Sequence, residues 1–227
     1  MFRKYSLIFS LFMVALLVPG SALAQYDDYK IELIPFIGYT FSEGVPVEPV
    51  DTGSGTVNRL NPVSGMSYGF QVDMLASEHF AIGFNFSEQL SDLEGKFSGG
   101  GGKQIFTDMK VRNYHGIFTY NFGDADEKAR PYLFGGIGAT NYSPGDIESY
   151  DVDGSTRFST TWGGGLKFYA TDNVGLRFGA RWTPTHINTS ADGLWCSPWY
   201  PWGGCWVVGT ANYSNQFEMS GGIVFRF

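Results

Sequence analysis

The sequence lacks several features that identify common classes of protein. Beyond residue 24 it has no apolar run near the ~20 residues that a transmembrane helix needs. It contains only three histidines and two cysteines, and its formal net charge is −7. Nucleic-acid binding needs a basic stripe, which this charge balance does not supply, so we exclude nucleic acid as a partner. No cofactor and no metal site are predicted.

The one extended apolar run lies near the N-terminus, at residues 6–18. Arg3 and Lys4 precede it, and the small-residue sequence Ala22-Leu23-Ala24 follows it, an order typical of a secretory signal peptide. A membrane anchor is the alternative, but the run is too short for a bilayer core of about 30 Å. We therefore predict a signal peptide at residues 1–24 and one domain at residues 25–227.

The two cysteines, Cys196 and Cys205, lie close together in a stretch rich in Gly, Pro and aromatic residues. Export places them in an oxidising compartment, where such a pair is expected to form a disulfide bond. Metal binding is the weaker alternative, because two thiols without a nearby His or carboxylate pair do not complete a zinc site.

The last twelve residues alternate strictly between two kinds of side chain. One face carries Phe217, Met219, Gly221, Ile223, Phe225 and Phe227, and the other is mostly polar. This period of two predicts a β-strand whose two faces meet different solvents.

Seven further strand-sized segments precede this closing strand. Long polar loops follow the odd-numbered segments and short turns follow the even-numbered ones. With the closing strand, the eight predicted strands are residues 30–41, 67–76, 80–87, 107–122, 131–142, 157–169, 174–183 and 216–227. Without helices, a chain can cross a bilayer only as a closed barrel, which leaves no backbone group unpaired in lipid. The sequence therefore predicts an all-β fold, an eight-stranded antiparallel up-and-down transmembrane β-barrel.

Three details of these segments carry their own predictions. Pro35 within the first strand removes a backbone donor and suggests a bulge. The four glycines at 99–102 read as a flexible hinge, because no phosphate-binding motif accompanies them. The fifth strand is so rich in glycine that either Tyr132 and Phe134 or Leu133 and Ile137 could face the lipid.

This pattern resembles the small eight-stranded outer-membrane proteins of the OmpA transmembrane-domain and OmpX type. The resemblance is carried by residues 34–39 (IPFIGY), 131–138 (PYLFGGIG) and 221–227 (GGIVFRF). It implies a monomer in the bacterial outer membrane, surrounded by lipid and lipopolysaccharide, and leaves activity open. In that family the barrel-assembly machinery reads alternate aromatics and a final Phe, which implies an assembly signal at Phe217, Ile223, Phe225 and Phe227.

Several charged residues occupy inward-facing positions in the predicted registers. They are Glu32, Asp73, Lys167, Arg177, Arg181, Glu218 and Arg226. Buried charges must be paired, so these residues are expected to form a network that fills the lumen. The network is either a structural plug or a gate, in which Arg177 or Arg181 exchanges between Glu32 and Glu218.

The last long loop contains a cluster of aromatic residues around the two cysteines. Its members are Trp195, Trp199, Tyr200, Trp202 and Trp206. Exposed aromatics with a polar atom favour sugar faces and lipid headgroups, which suggests adhesion to host or cell-surface ligands or contact with lipopolysaccharide. Packing of these rings against one another is an equally good interpretation.

Catalytic machinery is not evident, although lipid A-modifying enzymes exist on barrels of this size. A nucleophile needs a base within reach and a third group that orients the base. His115 could serve Ser159 or Thr161 only by reaching across a lumen that the charge network is expected to fill. We therefore predict a non-enzymatic protein with a structural or surface-interaction role. The alternative is a narrow passive channel for small or hydrophobic solutes, and the third hypothesis is a lipid A-modifying enzyme.

Overall fold

A computed structural model describes residues 31–51, 56–97, 103–145, 154–187 and 213–227. The predicted signal peptide, the two cysteines, the four-glycine segment and the aromatic cluster all lie outside these ranges. Ten strands occur in the described residues: β1 (Ile31–Ser42), β2 (Val45–Asp51), β3 (Thr56–Pro62), β4 (Gly65–Leu75), β5 (Phe80–Phe97), β6 (Lys103–Asn121), β7 (Ala129–Pro144), β8 (Ser155–Tyr169), β9 (Val174–His186) and β10 (Tyr213–Arg226).

Eight of these strands close into an antiparallel up-and-down barrel. The order runs β5-β4-β1-β10-β9-β8-β7-β6, and pairing of β5 with β6 closes the ring. The two chain ends meet at one rim, where the Ile31 amide donates to the Phe227 carbonyl at 3.2 Å and the Phe227 amide donates to the Ile31 carbonyl at 2.9 Å. The predicted fold class is confirmed. We call this rim the terminal end and the opposite rim the loop end.

The alternation of side chains separates an apolar outside from a polar inside. Outward positions such as Ile37 and Ile137 are about two-thirds exposed, at 65% and 66%, whereas inward positions such as Gln71 and Thr119 are fully buried. A soluble protein rarely exposes a continuous apolar surface around its whole circumference. This outer surface therefore matches the hydrocarbon of a bilayer.

Among the described residues, no helix is long and apolar enough to cross a membrane.

Strands β2 and β3 form a hairpin within the segment predicted as the first long loop, so that prediction is wrong in part. Strand β3 pairs with the loop-end part of β5, and β2 lies at the free edge of the sheet. Proline is tolerated on an edge strand, where its missing amide has no ladder to join. Strand β2 contains Pro46 and Pro49, and these two prolines are the reason that its sequence was interpreted as a loop.

Strand β5 is much longer than the predicted 80–87, and β6 begins at Lys103 rather than at residue 107. They pair continuously from Phe80 and Tyr120 to Lys96 and Lys103, with one register shift near Leu93. Most of the predicted second loop is therefore strand, and it projects beyond the loop end of the barrel together with the β2–β3 hairpin.

The predicted bulge at Pro35 is wrong. The pairing of β1 with β4 continues through Pro35 opposite Phe70 without a register shift. The pairing with β10 keeps the same register on either side and only omits Ile34 and Pro35. Because proline has no backbone N–H group to donate, the pairing with β10 is interrupted at Pro35, but no extra residue is inserted into the strand.

The faces of β7, left open by its sequence, are unambiguous in the structure. Tyr132 and Phe134 point into the barrel and are buried, whereas Leu133 and Ile137 are outward and exposed. The same register places Arg130 inside, where its guanidinium donates to the carbonyls of Glu78 at 2.8 Å and Gly123 at 3.0 Å. Arg130 was missing from the predicted interior charges because it was assigned to the turn before the fifth strand, which in the structure already begins at Ala129.

Candidate functional site: the barrel interior

All seven charged residues predicted for the lumen have side chains in the interior, and none is more than 8% exposed. They form two groups. One lies near the terminal end around Glu32, and the other lies nearer the loop end around Glu218.

Glu32 is the centre of the first group. Its carboxylate accepts hydrogen bonds from Lys167 Nζ at 2.5 Å, Arg226 Nε at 2.9 Å and the Tyr169 hydroxyl at 2.9 Å. The Arg226 guanidinium also lies 3.5 Å from the centre of the Tyr169 ring, close enough for a cation–π contact. One carboxylate thus forms ion pairs with two buried cations.

Asp73 lies beside this group as the direct cross-strand partner of Glu32. One of its oxygens accepts a hydrogen bond from Gln71 Nε2 at 2.6 Å. The other, Oδ1, is buried and has no hydrogen-bond partner among the described residues. Asp73 therefore contributes a buried carboxyl group without a direct ion pair in that part of the chain.

Arg181 and Glu218 form the second group. The Arg181 Nη2 atom donates to Glu218 Oε2 at 2.8 Å and to the Ser87 hydroxyl at 2.7 Å, and its Nη1 atom donates to Asn85. Glu218 also accepts from the Thr40 hydroxyl at 3.4 Å. Thr40 belongs to β1, next to β10, whereas Asn85 and Ser87 belong to β5, so this ion pair is held by polar side chains from both sides of the lumen.

Arg177 lies between the two groups and, in the described part of the chain, contacts only neutral acceptors. Its Nε atom donates to the Tyr132 hydroxyl at 2.6 Å, and its Nη1 atom donates to Gln71 Oε1 at 2.8 Å. Its guanidinium also lies 4.9 Å from the centre of the Tyr132 ring. The set of seven has four basic and three acidic side chains, and Arg177 is the basic one without a carboxylate in contact among the described residues.

Aromatic rings fill the space between the charged groups. Phe134 lies over Gly163 so closely that a Cβ atom there would be 2.6 Å from its ring, and Tyr132 lies over Gly179 in the same way. Among the described residues, a cavity between Phe36, Phe134, Arg177 and Glu218 has a volume of about 10 Å³. Such a space holds at most about one water molecule, so the interior is tightly packed at this level of the barrel.

His115 and Ser159 form a second polar cluster, in the loop-end half of the lumen. His115 Nε2 lies 2.9 Å from the Ser159 hydroxyl, and both residues are fully buried. The expectation that His115 would have to reach across the lumen is wrong, because its strand and that of Ser159 are separated only by β7. At the crossing point β7 has Gly138, where a Cβ atom would lie 2.8 Å from the His115 Cα.

This cluster continues through residues that the sequence interpretation did not single out. Thr140 contacts Ser159 at 3.0 Å, Asn113 at 2.7 Å and Thr185 at 3.1 Å, and Asn113 donates to Gln216 at 3.2 Å. Their inward register was the only signal in the sequence. His115 Nδ1 has no hydrogen-bond partner among the described residues, so no third group is seen to orient the ring.

In the described part of the chain, no group of three or more His, Cys, Asp or Glu is placed to hold a metal ion.

The residues of the predicted assembly signal lie on the outer face of β10 and at the chain end. Phe217, Ile223 and Phe227 are exposed, and Phe225 is half-buried. Phe217 also contacts Phe41 of β1, with ring centres 6.5 Å apart. These side chains are thus accessible from the lipid side of the barrel.

No protein-family model matches the sequence, and no curated protein matches it. Solved structures do match the fold. Neisserial surface protein A is 15% identical, the match covering 87% of this chain and 97% of that one, with a TM-score of 0.54. The outer-membrane protein OprG of Pseudomonas aeruginosa is 10% identical, with coverage of 88% and 97% and a TM-score of 0.55. With its closed barrel, apolar outer surface and these likenesses, the chain has the fold and the outer-membrane location of the small eight-stranded β-barrel proteins.

Proposed function

We propose that the protein is a non-enzymatic outer-membrane barrel with a structural and surface-interaction role, and that its interior charges seal the lumen. The observation that carries this proposal is the packed interior, whose cavity of about 10 Å³ lies between Arg177, Arg181 and two aromatic rings. A permeant solute would have to displace buried ion pairs, and breaking such a pair costs several kcal/mol. The interior is therefore suited to stability rather than to transport.

The role at the surface belongs to the loop end. In this proposal residues 1–24 are removed on export, the assembly machinery inserts the chain as a monomer with its terminal end toward the periplasm, and the loop end meets lipopolysaccharide. The aromatic residues around Cys196 and Cys205 would then be presented outside the cell, where they could contact host or cell-surface ligands. The disulfide between these two cysteines is part of the proposal.

A narrow channel is the second candidate, and Arg177 is the observation that favours it. A cation held only by neutral acceptors can move to a carboxylate more readily than one already paired. Arg177 lies between the Glu32 and Glu218 groups, so its movement, together with that of Arg181, could open a path along the lumen.

Conductance separates the plug from the gate. In planar bilayers we expect no stepwise conductance from the wild-type barrel, because the interior is packed. The Glu218→Gln variant releases Arg181 from its carboxylate at 2.8 Å, so the gate hypothesis predicts conductance steps in this variant.

The matched control is Glu127→Gln, which makes the same change in an exposed turn. A silent wild type with a silent Glu218→Gln variant would remove the gate. Stepwise conductance in the wild type would instead contradict the sealed lumen.

The non-enzymatic assignment is supported by the burial of the His115–Ser159 pair. Both side chains are 0% exposed, so a lipid substrate has no path to the hydroxyl. Mass spectrometry of lipid A from cells with and without the gene tests this assignment. A mass difference between the two lipid A samples would overturn it.

Deletion of Phe227 should reduce the amount of protein inserted into the membrane. Phe227 is exposed at the end of the closing strand and pairs with Ile31 through its backbone, so both the assembly signal and the closure of the barrel lose a contact. Quantitative immunoblotting of outer-membrane fractions measures the effect, with the exposed Met219→Ala substitution on the same strand as the control. Normal membrane levels of the truncated chain would count against the signal.

A further inference from the structure

Three cations stand side by side on the sheet that projects beyond the loop end. Arg59 of β3 is the direct cross-strand partner of Lys96 of β5, and Lys96 is the direct partner of Lys103 of β6. Direct partners in an antiparallel pair have side chains on the same face, about 4.5–5.5 Å apart at Cβ. We call Arg59, Lys96 and Lys103 the basic row.

The basic row faces outward. All three residues are exposed, and the Lys103 side chain is 64% accessible. The opposite face of the same sheet is buried through Pro62, Leu93 and Gly95. The register shift of β6 beyond Leu93 leaves Lys103 on the outward face, because it skips one residue of β6.

Charges of one sign placed directly opposite each other destabilise a sheet. Lys103 has a counter-ion, since its Nζ atom lies 2.9 Å from Glu94. Arg59 and Lys96 have no ion pair with any described residue. Among the residues whose side chains the structure describes, these two adjacent cations therefore lack a counter-ion on an exposed surface, an arrangement that an anionic ligand would stabilise.

The position of Arg59 indicates what kind of anion this is. Besides belonging to the basic row, Arg59 lines an outward groove of about 580 Å³ together with Phe41, Trp182 and Phe217. These three aromatics are cross-strand neighbours on the lipid-facing surface and are between 41% and 49% exposed. A ligand at Arg59 thus has cations on one side and an apolar surface on the other.

The polar rim of the groove is compatible with a phosphate group. Gln216 also borders the groove through its strand, but its side chain points into the lumen, where its Oε1 atom accepts a hydrogen bond from Asn113 at 3.2 Å. The one carboxylate on the rim, Glu43, accepts a hydrogen bond from Asn215 at 2.8 Å. Asn215 in turn accepts from the Trp182 indole at 3.1 Å.

We propose that the basic row and this groove bind a phosphorylated glycolipid of the outer leaflet, with its phosphates on Arg59 and Lys96 and its acyl chains against Phe41, Phe217 and Trp182. This inference rests on the proposed orientation of the barrel, with the loop end outside the cell. A soluble sulfated glycan would use the cations but not the apolar groove, so the groove favours a lipid.

The test measures binding of lipopolysaccharide to the full-length folded protein in detergent by isothermal titration calorimetry. We expect Lys96→Gln and Arg59→Gln each to weaken binding about fivefold, since each cation near an anionic lipid surface contributes roughly that factor. Wild-type binding should weaken as salt is added, because the contacts are exposed. Lys128→Gln removes one positive charge from the exposed turn at the terminal end and is the matched control.

Two chemical variants of the ligand complete the test. Dephosphorylated lipopolysaccharide should lose the dependence on Lys96, and the deacylated phosphosaccharide should bind more weakly than the intact lipid. Equal affinity of wild type and Lys96→Gln, or an equal loss with Lys128→Gln, would overturn the proposal. The proposal would also be overturned if binding of heparin depended on Lys96 while binding of lipopolysaccharide did not.

Two further measurements separate the absence of a lipid site from the absence of a sealed barrel. Heat-dependent gel migration reports the folded barrel, and bilayer conductance reports the sealed lumen, and neither should change in the Lys96→Gln variant. The same variant relieves repulsion between like charges, so without ligand it should slow amide hydrogen exchange in β5 and β6 beyond Leu93.

Discussion

Glu32→Gln should destabilise the barrel by about 3–5 kcal/mol, the range for removing one partner of a buried ion pair. Glutamine keeps the shape of the side chain, but its single amide oxygen can replace only one of the two carboxylate oxygens that accept from Lys167 and Arg226. It cannot neutralise them, and both cations are buried, so two positive charges would remain without a carboxylate in contact. Asp73, the nearest remaining acid, makes no direct ion pair with either cation.

The measurement is the free energy of unfolding in urea, for refolded protein in detergent micelles. Glu127→Gln in an exposed turn is the matched control and should change the free energy of unfolding by less than about 0.5 kcal/mol. Adding Lys167→Met to the Glu32→Gln variant removes one of the two uncompensated cations and should recover part of the loss. A loss below about 1 kcal/mol for Glu32→Gln would show that solvent or a neighbouring acid already neutralises this group.

The eight barrel strands could be predicted from the sequence because each lies between two solvents of opposite polarity. Where alternation is strict, as in β10 with Phe217 outside and Glu218 inside, both strand and faces follow directly. The alternation pattern does not assign the faces of β7, because the glycines at 135, 136 and 138 remove the contrast in polarity between its two faces. It also fails for β2, which has no continuous partner on one side and therefore accommodates prolines.

The pairing of interior charges could not be predicted, although the inward positions of the seven residues could. Which acid meets which base depends on the stagger between strands, which alternation does not report. Glu32 and Lys167 are far apart in strand order and meet only because their side chains cross the lumen. Arg181 and Glu218, in contrast, are direct cross-strand partners on β9 and β10.

The inward-facing glycines explain the side-chain contacts in the lumen that the sequence did not predict. An inward glycine removes one side chain from the strand between two neighbours, so a residue can pass over it to the next strand. His115 reaches Ser159 over Gly138, and Phe134 packs on Gly163 in the same way. A sequence shows where glycines are, but it does not show which large side chain uses the space.

Gly179→Ala should destabilise the protein by about 1–3 kcal/mol, the usual effect of overpacking a well-filled interior. A Cβ atom at residue 179 would overlap the Tyr132 hydroxyl oxygen, whereas the ring carbon that carries this hydroxyl would be at an ordinary contact distance of 3.4 Å. The hydroxyl cannot easily move, because it accepts a hydrogen bond from Arg177 Nε at 2.6 Å. The severest conflict is thus with this one oxygen atom, and the backbone carbonyl oxygen of Gly164 on β8, at 3.1 Å, comes next.

A double-mutant cycle with Tyr132→Phe isolates this contact. Tyr132→Phe alone is expected to destabilise the barrel, because Arg177 loses an acceptor, but in its background Gly179→Ala should lose most of its effect. Gly221→Ala is the control, because a Cβ atom there would lie 3.6 Å or more from its neighbours on the lipid-facing side. If Gly179→Ala were equally destabilising with and without the Tyr132 hydroxyl, the overlap would be with the backbone of β8 rather than with Tyr132. The tight packing of the lumen, on which the sealed barrel depends, would then have to come from strand geometry and not from the side chains that fill it.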